Sequence, residues 1–220
     1  MITRLLVVLG IVLSIPSLTA RADPNPYDFW TYTLRSYLEK DLINVAQAQV
    51  FSARREVVVR EELFNMYKIL RERNSVTLEE LETVQAEYQA SLHKVALADS
   101  RLTEAQIIQK VTDLRLAWST GQAPDVAALE ALTREFRRAQ CNSINERLLK
   151  TQAYADAASI RTERYRELNR TRVVARETFL KVELAWLVLE DEMVADRASI
   201  AQCNTEGFSI KLSERPVRKK

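Results

Sequence analysis

"RELNRTRVV", residues 166–174, lies near the middle of a stretch, 125–206, that holds neither glycine nor proline. Rich in Ala, Leu, Glu, Arg and Gln, the stretch favours helix throughout. It either runs as one rod or reverses direction at these residues, and the chain's only two cysteines decide which. Cys141 and Cys203 both sit in the tetrapeptide Ala-Gln-Cys-Asn. An unbroken helix would hold their sulfurs some 90 Å apart. A turn at Asn169–Thr171 instead leaves two legs that differ by about one helical turn, ~6 Å. That difference is within reach of the roughly 5.5–6 Å Cα separation a disulfide needs. The spacing predicts a hairpin stapled through Cys141 and Cys203, a loop of about 60 residues whose closure contributes ~4 kcal/mol.

The first half of the chain has the same form. Residues 27–120 also lack glycine and proline, and one helix of that length would reach about 140 Å. "RERNSVTLEEL", 71–81, offers a fold point. Asn74 can take a left-handed C-cap, and Thr77 with Glu80 forms a capping box. Arg-Glu-x-Asn occurs here and again at 166–169, with Asn169 in the part of Asn74. The repetition suggests tandem hairpins. Helices are expected over 28–72, 77–118, 125–168 and 172–203. Residues 119–124 form the linker, and Asp125 is the N-cap of the third helix. The predicted fold is all-α: two long antiparallel helical hairpins (28–118 and 125–204) in one elongated, coiled-coil-like four-helix bundle near 65 Å long.

The ends carry an address. Arg4, the apolar run 5–15, Pro16 and Ala20-Arg21-Ala22 read as a cleaved export signal over 1–22, leaving 23–204 as the bundle domain. The apolar run is about half the roughly 20 residues a membrane span requires. Lys and Arg total 32 against 30 Asp and Glu, and the leader holds two of the basic residues. The remainder is therefore balanced, which argues against nucleic acid as a partner. The tail 205–220 is expected to be flexible and basic, able at most to touch a membrane surface peripherally. Export makes a disulfide the default state of two cysteines. Two thiols and a distant His93 fall short of a zinc ligand set, so no metal and no cofactor is expected.

Heptads mark the faces. In helix two, Leu81, Tyr88, Val95 and Leu102 alternate with Val84, Ser91, Ala98 and Ala105, a seam with one large and one small row. Glu80, Glu87, Lys94 and Arg101 form a solvated face. Helix four has two apolar rows, one of Val173, Leu180, Leu187 and Val194, the other of Phe179, Val182, Trp186, Leu189 and Met193. A stripe that broad asks for cover from several helices, in this chain or in another copy. Helix one is also wide, with Leu38, Leu42, Val45, Leu63, Met66, Tyr67 and Leu70, and core packing is expected of these rows.

No phosphate loop, nucleophile elbow or zinc-protease motif occurs, so the chain is not expected to be an enzyme. Residues 71–106, with Asn74 at the turn, Glu80-Leu81-Glu82-Thr83-Val84-Gln85 opening the helix, and Ala90, Leu92, Ala98 and Leu102 along it, resemble the hairpin region of the TolC-like outer-membrane efflux family. The strands such a channel needs for its barrel are absent from the sequence. The resemblance implies a periplasmic helical-hairpin module that cooperates with an envelope transport assembly, without a pore of its own. The expected function is that of a periplasmic or secreted structural adaptor binding other envelope proteins; oligomeric state is left open, with the wide stripe on helix four inviting a homo-oligomer. The expected contacts are the hairpin tips Arg73, Asn74, Ser75 and Val76, with Asn169, Arg170 and Thr171. A holdase chaperone or lipid carrier is the competing expectation.

Overall fold

The computed structural model describes residues 26–123, 125–205 and 207. The export signal read at 1–22 lies outside them, as does the basic tail read at 205–220 apart from Thr205 and Gly207. Four helices account for nearly all described residues: α1 (Pro26–Glu72), α2 (Leu78–Ser119), α3 (Val126–Arg170) and α4 (Arg176–Thr205). There is no strand among the described residues, and none of the helices is long and apolar enough to cross a membrane.

Each helix packs on its neighbour in the chain. The buried and half-buried positions of α1 include Ser36, Glu39, Ile43, Ala46, Val50, Ala53 and Val57, in alternating steps of three and four. This is the 3.5-residue period of a coiled-coil seam. Val50 and Ala53 pack with Ala98, Val95 and Leu102 of α2, and Phe64 stacks on Tyr88 with ring centroids 5.7 Å apart. The large-and-small row read in helix two is thus the one that meets α1. Ion pairs flank it, Arg60 with Glu87, Lys94 with Glu56 and Arg54 with Asp99. Partner numbers descend along α2 as they ascend along α1.

α2 buries a second side against α3, through residues that include Ala86, Ala90, Leu97 and Ile107. The same descending order holds there, with Arg164 against Glu82 at 3.0 Å and His93 against Glu146 at 3.0 Å. Between α3 and α4, Leu148, Ala155, Met193 and Ile200 form a buried cluster, joined by Ile144 and Leu189. Burying a side chain of this size contributes roughly 1.5–3 kcal/mol.

The packing stops there. Among the described residues, α1 makes no close backbone approach to α3 or α4, and α2 makes none to α4. The four helices form an open row, and the broad apolar rows expected in the core are only partly covered. Leu38, Leu42, Val45 and Met66 of α1, and Leu180, Leu187 and Val194 of α4, are exposed. The reason lies in which face each end helix turns inward. α1 gives α2 its small and polar seam, and α4 gives α3 the row of Phe179, Val182, Trp186, Leu189 and Met193, of which Met193 is fully buried. With one neighbour each, the two end helices leave their second apolar rows in solvent.

The turns are closed by hydrogen bonds. After α1, Asn74 adopts φ 55°, Ser75 donates its N–H to the Leu70 carbonyl at 2.9 Å and Asn74 donates to Arg71 at 2.9 Å. Left-handed backbone with a bond spanning back to the third residue from the helix end is the Schellman closure. Thr77 and Glu80 complete the capping box, each side chain taking the other's backbone N–H. At the linker, Gly121 has φ 92°, a conformation that disfavours any side chain, and Asp125 accepts the Ala128 N–H at 2.8 Å.

The second turn departs from the sequence reading. Asn169 does not take the part of Asn74; it remains inside α3, which runs to Arg170, and the left-handed residue is Arg172 at φ 62°. The closing bond runs from Val173 N–H to the Leu168 carbonyl at 2.8 Å. α4 then starts at Arg176 rather than 172. The turn matches the first when Leu168 is set on Leu70, so the repeated Arg-Glu-x-Asn does not mark equivalent positions. Leu168 and Val173 carry the apolar spacing that accompanies this closure. Arg172→Gly removes the left-handed penalty and is expected to stabilise the fold by about 0.5–1 kcal/mol, read from urea midpoints.

Candidate protein-binding surfaces

The tip residues divide by role. Arg73, Asn74 and Ser75 are exposed, and Val76 is half-buried, its carbonyl taking a hydrogen bond from Arg71 Nη1 at 3.1 Å. On the second turn Arg170 and Thr171 are exposed and Asn169 is half-buried. Arg170 pairs with Glu167 at 2.8 Å and Thr171 Oγ1 donates to the Glu167 carbonyl at 3.1 Å. That ion pair raises the Arg170 guanidinium above its ordinary value. At the first turn, the Thr77 backbone and hydroxyl donate to Glu80 and lower its carboxyl. Both tips are internally hydrogen-bonded and polar, so they suit a polar partner better than an apolar one.

Cys141 and Cys203 are brought together and joined, with Cα atoms 6.0 Å apart and both side chains fully buried. About two turns further along the same seam lies a pair the sequence reading missed. Asp196 is buried between Met193 and Ile200. Both of its oxygens accept from Arg147 Nε at 3.0 Å, and Nη2 donates as well. These bonds raise the Arg147 guanidinium above its ordinary value against the opposing effect of burial. An acid in a heptad core position, with an arginine on the facing helix, was the available signal.

Another buried polar group lies between α1 and α2. Gln109 Nε2 donates to Ser36 Oγ at 2.9 Å and to Asp113 at 2.8 Å. No imidazole or ammonium takes part in that chain to activate the hydroxyl. His93 faces the Glu146 carboxylate, but the nearby Ser143 hydroxyl donates to Glu104 instead.

Burial raises the Glu104 carboxyl above its ordinary value, offset in part by Ser143 and then by Arg101. A carboxyl raised in the folded state favours folding below its unfolded value, and that contribution is lost as pH rises through the folded value. Glu104→Gln is therefore expected to be more stable than the wild type at neutral pH, with the gap closing in acid. Urea midpoints measured at both ends of the range check this.

The remaining feature is apolar. Trp30, Leu34, Tyr37, Leu38, Phe51 and Val59 on α1, with Val173 in the turn before α4 and Leu180, Leu184 and Val188 on α4, are 47–70 % exposed. A soluble monomer ordinarily exposes a contiguous apolar patch of a few hundred Å². Two open grooves lie between the helices, one between α2 and α3 beside Leu114 and Leu132 and one between α1 and α2 beside Leu42 and Ile108. Comparison with protein-family models, curated proteins and solved structures finds no match.

Proposed function

We propose that this chain is an exported, non-enzymatic adaptor of the cell envelope, residing in the periplasm or secreted. In this reading two antiparallel hairpins form an elongated scaffold. It presents polar tips at one end and apolar flanks on α1 and α4, and it binds other envelope proteins, including components of a transport or efflux assembly. The reading is supported chiefly by the apolar side chains left exposed along the outer helices of a disulfide-joined framework. Large exposed apolar areas bordered by charge are characteristic of surfaces that other proteins cover.

Crosslinking in intact cells followed by mass spectrometry tests it. Envelope proteins joined to residues of the tips or of the outer faces are the expected result. Alanine substitution at Arg73, Asn74, Ser75, Asn169, Arg170 and Thr171 that leaves every partner bound would remove the tips from the reading.

The same exposed apolar surface favours one other function, a holdase or lipid-binding carrier. That reading requires the helices to part around cargo. Strong binding of an apolar dye by the native protein, abolished by cargo, would favour the carrier over the adaptor.

A further inference from the structure

We propose that the outer face of α1 is the interface for a second copy of this chain, paired antiparallel about Ala48. This inference does not depend on the adaptor reading. The midline of the face opposite the α2 seam is Leu34, Asp41, Ala48, Arg55, Glu62 and Ile69, all exposed. In an ordinary two-helix seam such outward positions are polar. Here the midline is flanked on both sides by large apolar residues along nearly the whole helix.

The size of the face fits a copy of itself. Its large side chains are about half exposed, roughly 80–150 Å² each, giving about 1,000 Å² of apolar surface. Two such faces bury on the order of 2,000 Å², the amount a stable dimer needs. The corresponding patch on α4 is smaller, with five exposed large side chains from Leu180 to Val194.

Charge then fixes the direction and register. Parallel pairing in register would set Asp41 on Asp41, Arg55 on Arg55 and Glu62 on Glu62. Antiparallel pairing about Ala48 sets Asp41 opposite Arg55 of the other copy, twice by symmetry, with a small residue on the two-fold axis to admit close approach. Asp41 has no ion-pair partner among the described residues, and the Arg55 guanidinium lies 4.2 Å from the Phe51 ring centroid on the same face. The same register brings like to level with like along the flanks: Trp30 with Met66, Tyr37 with Val59, Leu38 with Val58, and Val45 with Phe51. The polar flank positions also match, Asn44 with Ser52 and Thr31 with Asn65. The one mixed pair is Leu34 with Glu62, whose aliphatic stem can cover it. A symmetric, self-complementary patch of this kind is what a two-fold interface requires.

Sedimentation equilibrium of the protein expressed from residue 1 tests the inference, with circular dichroism and an intact Cys141–Cys203 bond as controls of folding. The wild type is expected to contain two chains per particle. Leu38→Glu with Val59→Glu is expected to give single chains, and Leu184→Glu with Leu187→Glu on α4 is expected to leave the pair intact. Should the first variant unfold, the charge series decides. Asp41→Arg alone should weaken pairing at least about tenfold, and adding Arg55→Asp should restore it.

For the register, Ala48→Cys should form a disulfide-linked dimer on oxidation, and Leu34→Cys should not. A single-chain wild type, whether or not it binds anionic vesicles, overturns the proposal. So does a dimer broken only through α4, a charge swap that fails to restore pairing, or crosslinking through Leu34→Cys in place of Ala48→Cys.

Discussion

Replacing Cys141 and Cys203 together by alanine is expected to lower the unfolding free energy by about 4 kcal/mol, a fall in Tm of roughly 8–16 °C. The two residues are 62 apart in sequence, so the bond removes a large loop from the freedom of the unfolded chain. It also anchors the last turn of α4, which packs on α3 alone. Both sulfurs are fully buried, so alanine removes some packing as well as the bond. Thermal melts with and without reductant separate the two contributions. Reduced wild type keeps the sulfur packing and should lose most, but not all, of what the variant loses. The variant itself should be insensitive to reductant. A wild type whose melting does not respond to reductant after both thiols are shown to react would contradict this account. Amide exchange should quicken first in residues 196–205, where the join holds the helix end.

The second large effect is expected at Arg147. Substitution by Met leaves the buried Asp196 carboxylate without its guanidinium, and breaking such a pair costs about 3–5 kcal/mol. Half of the Arg147 side chain is open to solvent, 47 % against 6 % for Asp196, so screening places the loss near the lower end, at roughly 3 kcal/mol. The double variant Arg147→Met with Asp196→Leu should recover most of that loss. It replaces the pair by apolar groups in a seam that already holds Met193 and Ile200. A double-mutant cycle of urea unfolding measures both numbers. If Arg147→Met alone costs no more than a surface substitution, Asp196 is being solvated and the pair contributes little. The ordinary function of such a charged layer is registration. Among apolar positions repeating every 3.5 residues, a slip of one heptad along the seam would separate the acid from its base.

Much of the secondary structure could be read from residues 26–205. Long runs without glycine or proline, the Thr77–Glu80 capping box and the Asp125 cap set helix ends to within one or two residues at most places. The exception was the start of α4, where Asn169 resembled a left-handed cap. Asn tolerates positive φ better than Arg does, so local preference favoured the wrong residue. The carbonyl of Leu168 accepting from Val173 decided otherwise. With the turn at 171–175 the legs leading to Cys141 and Cys203 come out nearly even, and the apparent mismatch of one helical turn largely disappears. The polar tips could also be located from sequence, and the bonds that order them, Arg170 with Glu167 and Arg71 with the Val76 carbonyl, are local ones.

Sequence by itself determined that the chain is helical, where most of its helices are interrupted, and that its two thiols occupy matching settings. Those properties depend on local backbone preference and on spacing, which are carried by neighbouring residues. Only the tertiary structure decided which of two apolar rows on α1 and α4 turns inward. Both rows repeat with the heptad, and a period alone has no preference between two faces of one helix. The choice is made by the partner's surface: α2 offers Val95, Ala98 and Leu102, against which the small seam of Ala46, Val50 and Ala53 can approach closely, and the bulkier row of Leu38, Val45 and Val59 is left facing outward.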